Sequence, residues 1–167
     1  MSSPIIRPAT PHDVGDILTL IRELADFENL SHEVQSTAGD LHEALFGPNP
    51  VAEALVAEID RQTAAFALFF TTYSTFAGKP GLYLEDLYVR PEHRGRGLGT
   101  KLIRSGAEIA LQRGYARYEW IVLDWNARAV TFYRKCGAEM HAAWRRMRVS
   151  GDALQKLAHG SPSAGGL

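Results

Sequence analysis

Leu82-Tyr83-Leu84-Glu85-Asp86-Leu87-Tyr88-Val89, followed by Arg90-Pro91-Glu92-His93 and Arg94-Gly95-Arg96-Gly97-Leu98-Gly99-Thr100, is the stretch on which the fold turns. It reads as a buried strand, a turn and a glycine-rich helix start. Gly95, Gly97 and Gly99 lack Cβ atoms, so bare backbone N–H groups stand where a helix is about to begin, which makes an anion site. Arg94 and Arg96 add charge, and the helix dipole adds roughly half a positive charge more. A diphosphate suits such a site. The spacing is R-x-x-G-x-G, which is neither the G-x-x-x-x-G-K-S/T of a nucleotide loop nor the G-x-G-x-x-G of a dinucleotide fold.

Working outward, a chain of 167 residues with 46% hydrophobic content is sized for one domain with a real core. A net charge of −1 and no run of like charges exclude a general attraction to nucleic acid. No apolar stretch approaches membrane-spanning length, Met1-Ser2-Ser3-Pro4 lacks a secretory pattern, and the sole cysteine, Cys136, has no partner for an internal disulfide. We therefore expect a cytoplasmic protein with neither nucleic-acid nor membrane partners.

In chain order, Pro4 to Arg7 is a short strand, and Thr10-Pro11-His12-Asp13 starts a helix with Thr10 as N-cap. That helix reaches Phe27, buries Val14, Ile17, Leu18, Ile21, Leu24 and Ala25, and leaves Asp16, Arg22, Glu23 and Asp26 outside. Thr37 and Asp40 start a second helix that Gly47 closes. Val51 to Ile59 and Thr63 to Tyr73 read as a hairpin, and Ser74 to Gly81 as a loop. After the glycine-rich loop a helix runs from Gly97 to about Arg113 and stops at Gly114. Tyr115 to Leu123 reads as a strand, Asn126 caps a helix from Ala127 to Cys136, and Ala142 to Val149 reads as a last strand. From Gly151 the composition weakens; we expect a helical turn at Ala153 to Ala158 and a flexible tail over 150–167. The order is a mixed α/β pattern.

Glu85 and Asp86 are adjacent in an apolar strand, so alternation sends them to opposite faces and at least one carboxylate inward. Taken alone, the pair also fits, less well, a bulge or a strand edge. Tyr133 follows Asn126 by seven residues, nearly two helical turns, which puts both on one face about 10 Å apart. Taken alone, Tyr133 also fits simple packing within the Phe132-Tyr133 pair. Cys136 reads as core, and His93 and His141 as surface.

The R-x-x-G-x-G element, with Leu82 to Gly99, Val122-Leu123-Asp124-Trp125-Asn126, Phe132 to Ala138, Ile6 to Thr10 and Phe46-Gly47, resembles the GCN5-related N-acetyltransferase (GNAT) superfamily, in its spermidine/spermine (diamine) and thialysine branch. The resemblance covers about residues 4 to 149. It implies a single α/β GNAT-type domain over those residues, with a mixed central sheet that splays after its fourth strand and is flanked by helices. It implies acetyl-CoA as co-substrate, no metal, a small-molecule amine as acceptor and a homodimer. For residue roles it implies Glu85 as the carboxylate that relays the amine proton through water, and Tyr133 as the acid for the departing thiolate. It implies coenzyme contacts from Leu87, Tyr88, Val89, Arg94, Gly95, Arg96, Gly97, Leu98, Gly99, Thr100, Asn126, Ala129 and Tyr133. It implies an amine side of Phe27, Glu28, Glu85, Asp86, Glu119, Trp120 and Ile121. Where the polyamine branch has Tyr-Glu, Asp-Pro-Trp and an acid before a tryptophan, this chain has Phe27-Glu28, Ser74-Thr75-Phe76, and Ala142-Ala143 before Trp144. Fewer acids favour a short diamine or lysine-like acceptor over spermine. A protein lysine or N-terminal acetyltransferase, and a non-catalytic acetyl-CoA-binding module, remain as alternatives.

Overall fold

The structure, a computed structural model, describes residues 3–160. The described residues fall into two compact units, one ending at Asn126 and the other beginning at Ala127.

The first unit is built on a five-stranded sheet in the order β1 (Ile5–Pro8), β2 (Glu53–Ile59), β3 (Gln62–Ser74), β4 (Lys79–Val89) and β5 (Tyr118–Glu119). The pairs β1–β2, β2–β3 and β3–β4 are antiparallel, and β4–β5 is parallel. A two-residue turn joins β2 to β3, with Asp60 and Arg61 both in the left-handed region at φ 49° and 65°. Such a turn matches the twist of the strands it joins. The strand β4 starts earlier than the sequence indicates. The residues Lys79, Pro80 and Gly81, read as loop, pair with Ser74, Tyr73 and Thr72, and the Pro80 carbonyl accepts the Ala116 N–H.

Alternation along β3 sorts the core. Phe66 and Leu68 pack with Tyr88 against α1 (Val14–Phe27) and α2 (Ala38–Phe46), while Ala65, Ala67 and Phe69 belong to the opposite face. On α1 the buried residues are Val14, Ile17, Leu18, Leu20 and Ala25; Ile21 and Leu24 are only partly covered. The wholly buried Leu20, absent from the expected set, lies three residues after Ile17 and four before Leu24 and widens the same apolar stripe. Thr10 begins a turn of 3₁₀ helix rather than α1 itself. Asp13 accepts from the Thr10 N–H and hydroxyl, and binds Arg7 through both oxygens at 2.7 and 2.8 Å. The Arg7 guanidinium, aided by Thr10, holds the Asp13 carboxyl down at about 2. On α2, Thr37 and Asp40 form the expected reciprocal cap.

The helix α3 (Leu98–Gln112) buries Leu98, Leu102, Ile103, Gly106 and Ala110. At Gly106 a Cβ would come within 2.5 Å of the Tyr118 hydroxyl, so only glycine allows α3 this close to β5. The next strand is far shorter than the expected Tyr115 to Leu123. Only Tyr118 and Glu119 pair, with Leu82 and Tyr83, and residues 120–123 join no ladder. Among the described residues, 84–89 of β4 therefore carry no strand on that edge, which is the expected opening of the sheet after its fourth strand.

The second unit contains α4 (Ala127–Lys135) and α5 (Gly151–Ala158). No strand forms over residues 142–149, contrary to expectation; this exposed stretch finds no neighbouring strand to pair with among the described residues. The helical turn expected at Ala153 is the helix α5, which starts at Gly151. The part of the expected tail beyond Gly160 lies outside the described residues.

Candidate active site

The glycine-rich loop has the geometry its sequence suggests. Gly95 and Gly97 take φ of 79° and 76°, a region that side chains avoid. A Cβ at either would touch nothing within 4 Å, so open space lies before this backbone. Gly97 is the N-cap of α3, and the buried Leu98 pins the first turn to the core. Arg96 and Thr100 are exposed, and Gly99 is half-buried. Free amides at a helix start, beside open space and a cation, fit a diphosphate such as that of acetyl-CoA. Gly97→Val should weaken coenzyme A by more than about tenfold in titration calorimetry, since a β-branched residue resists this φ and covers the amides. Unchanged affinity would remove the loop from the coenzyme site.

On β4 the register against β3 slips by one residue. Leu68 faces Asp86 and Phe69 faces Leu84, so Glu85 is the extra residue of a β-bulge. Plain alternation fails here, and the consequence is specific. Before the bulge, Leu82 and Leu84 share the face of Phe69; after it, Asp86 and Tyr88 share the face of Leu68 and Phe66, against which α1 packs. The extra residue carries Asp86 to the side of α1. Glu85 itself is exposed, and Asp86 is half-buried.

The end of α1 completes this acidic group. Asn29 adopts φ 60°, its N–H bonds to the Asp26 carbonyl, and the Leu30 N–H bonds to the Ala25 carbonyl. That closure fixes Phe27 and Glu28 at the helix terminus. Burial raises the Glu28 carboxyl above its usual range. Burial, and after it the charges of Glu85 and Glu28, push the Asp86 carboxyl up to about 7. The family resemblance implies Glu85 as the carboxylate for proton removal. The structure adds that its neighbour has the proton affinity of a neutral-pH base, a property set by burial that no local pattern reveals.

Around the acids stand aromatic rings. The Phe27 and Trp125 centroids are 6.0 Å apart, and the Arg94 guanidinium lies 5.3 Å from the Phe27 ring and 5.6 Å from the Tyr88 ring. Nε of Arg94 donates to the Val89 carbonyl at 2.9 Å, so Arg94 links the glycine loop, the free edge of β4 and the end of α1. Trp125 was not among the expected site residues; it meets Phe27 only through the fold. Leu87 and Val89 lie along the β4 edge that β5 leaves uncovered. Of the remaining expected amine-side residues, Glu119 forms an ion pair with Arg117, Trp120 packs edge-on against Tyr118 at 5.1 Å, and Ile121 is exposed. Ser74 accepts the Ala77 N–H and a long bond from Arg117, so it serves its own turn, while Phe76 is almost fully exposed.

In the second unit, Tyr133 and Ala129 belong to α4, which Asn126 immediately precedes. Gly137 closes α4 at φ 90°: its N–H bonds to the Arg134 carbonyl and the Ala138 N–H to that of Tyr133. The Tyr133 ring lies 5.2 Å from that of Phe132. Cys136, expected in the core, is exposed, because α4 carries no fully buried residue.

A glycine-lined helix start beside a splayed sheet, with carboxylates on the bulged strand next to the opening, fits the acetyltransferase class that comparisons with known proteins show. The profile described as "Acetyltransferase (GNAT) family" matches residues 18–138, and the chain belongs to that family. It is an N-acetyltransferase, and acetyltransferases of this family use acetyl-CoA. A thialysine N-epsilon-acetyltransferase of Mus musculus is 41% identical over 95% of this chain and 99% of its own. An L-ornithine N5-acetyltransferase of Arabidopsis thaliana is 32% identical over 91% of this chain and 86% of its own. Among solved structures, an integron cassette protein of V. cholerae superposes with a TM-score of 0.79 at 24% identity, covering 95% of this chain and 99% of that one, which speaks for the fold alone.

Proposed function

We propose that this enzyme acetylates the side-chain amine of a lysine-like amino acid or a short diamine, in a ternary complex and without a covalent enzyme intermediate. The observation that carries the reading is the acidic group of Asp86, Glu85 and Glu28, gathered by the bulge beside the uncovered edge of β4, where burial raises the Asp86 carboxyl. The thialysine and ornithine relatives named above support the acceptor class. When bound, acetyl-CoA supplies the acetyl group as an activated thioester. The chain does the rest. Amides from Gly95 to Thr100, with Arg96, hold the diphosphate, and the free edge at Leu87, Tyr88 and Val89 aligns the pantetheine arm as an added strand would. Asn126 and Ala129 contribute further coenzyme contacts.

An alkyl ammonium of pKa about 10.4 must lose a proton before it attacks. A carboxylate near 4 stands about six pKa units below it, roughly 8 kcal/mol uphill; one near 7 about halves that cost. The Glu85–Asp86 pair receives the proton, directly or through water, while Glu28 with Phe27, Glu119, Trp120 and Ile121 orients the acceptor. The Tyr133 hydroxyl gives a proton to the departing coenzyme sulfur. The reading extends to a homodimer at work in the cytoplasm, and sedimentation of the purified protein decides the first. To test the acceptor, thialysine, 1,3-diaminopropane, spermine and a lysine peptide are compared by free-thiol release. The reading expects the highest kcat/KM with thialysine or the short diamine; a spermine or peptide maximum overturns it.

A further inference from the structure

We propose that Trp125 is an acceptor-selecting residue: with Phe27 it forms an aromatic wall that holds the stem of the amine substrate, while Arg94 behind Phe27 turns away acceptors carrying a second ammonium at that end. The inference deepens the acceptor reading above and rests on it. Phe27 and Trp125 are two large rings left 43% and 53% exposed, although they touch each other at a centroid distance of 6.0 Å with planes at 50°. Tilted rings at this distance attract, so the pair is a defined surface rather than two loose side chains. Its location is fixed from both sides. Phe27 is the last residue of α1, one residue before Glu28, whose charge is felt by Asp86. The pair therefore borders the acidic group that receives the reacting ammonium.

A polyamine would use such rings for its next cation, because a ring face attracts an ammonium. Here the Phe27 ring already has a cation 5.3 Å away, the Arg94 guanidinium, anchored by its Nε on the Val89 carbonyl and shared with Tyr88. A second ammonium at the wall would meet that charge with few intervening groups. An apolar stem meets no such penalty, and a carboxylate at the far end of an amino acid gains from it. The wall thus favours a reacting ammonium followed by methylene, thioether or aryl groups, with a far end that carries no net positive charge, such as the zwitterionic end of an amino acid. Arylalkylamines enter the accepted class.

The test uses purified full-length protein with acetyl-CoA, three acceptors (thialysine, 2-phenylethylamine and 1,3-diaminopropane) and the variants Trp125→Ala, Trp125→Phe and Phe27→Ala, with coenzyme affinity read by calorimetry. Removing the Trp125 ring should lower kcat/KM for thialysine and phenylethylamine by about five- to tenfold more than for diaminopropane, mostly through KM. Trp125→Phe should restore most of that difference, and Phe27→Ala should reproduce it from the other ring. Losses of equal size for all three acceptors, or no loss in either alanine variant, overturn the wall. A wild-type enzyme that acetylates none of the three overturns the acceptor reading itself, which the wild-type measurement alone decides. Should Trp125→Ala lose coenzyme affinity through misfolding, the Trp125→Phe and Phe27→Ala pair carries the comparison.

Discussion

Asp86→Asn is expected to lower kcat/KM for the amine acceptor by about 10²- to 10⁴-fold, the usual contribution of a positioned acid–base group, and at the same time to raise the melting temperature at pH 8. The two effects share one cause. The Asp86 carboxyl is raised from 3.8 to about 7, chiefly by burial. Below pH 4 the group is neutral in both folded and unfolded chains and costs nothing. Between pH 4 and 7 the unfolded chain sheds its proton while the folded one keeps it, so stability falls as pH rises. Above pH 7 the full penalty applies, at most about 4 kcal/mol for three pKa units. Asparagine carries no charge at any of these pH values, so the gain in melting temperature should be present at pH 8 and absent at pH 4. Wild-type activity in the variant would pass the proton to Glu85 alone. A stability gain of the same size at both pH values would mean that Asp86 is not held protonated.

Tyr133→Phe is expected to leave coenzyme affinity nearly intact and to lower kcat by about 10²- to 10⁴-fold. Phenylalanine keeps the ring that lies 5.2 Å from Phe132, and the backbone closure from Ala138 to the Tyr133 carbonyl does not involve the hydroxyl. Only a proton donor is lost. A thiol of pKa about 8.5 leaves readily as thiolate above that pH, so the defect should shrink as the assay pH rises from 7 to 9. A wild-type kcat would make Tyr133 a packing residue. A defect that is constant across pH would point to positioning instead of proton transfer.

Much of this fold is written locally. The apolar arc of α1, the Thr37–Asp40 cap, and the glycine or asparagine that ends each of α1, α3 and α4 are contained within a few consecutive residues, so a single sequence displays them. The glycine-rich loop is legible for the same reason: left-handed backbone at Gly95 and Gly97 is a property of those residues. What depends on a distant partner is not displayed. The strand after Gly114 pairs only as far as Glu119, and the stretch at 142–149, expected as a strand, stays without a ladder because pairing requires a neighbour. The proton affinity of Asp86 arises from burial and from Glu28 across the fold, and Trp125 acquires its place from Phe27. Local chemistry names the site; tertiary register decides which of its residues meet.

The single unpaired residue on β4 also makes length matter separately from chemistry. Opposite Ala65 to Ser74 the strand runs from Lys79 to Val89, one residue longer than its partner. Exchanging Glu85 for another side chain removes a carboxylate and leaves that count unchanged. Deleting Glu85 would even the count and restore uninterrupted alternation with Leu84 still opposite Phe69 and Asp86 still opposite Leu68, so Asp86 would keep the side of α1. What the extra residue supplies is therefore a local bend and its own carboxylate, and a deletion at this one position is a milder change than the loss of a paired residue of the same strand.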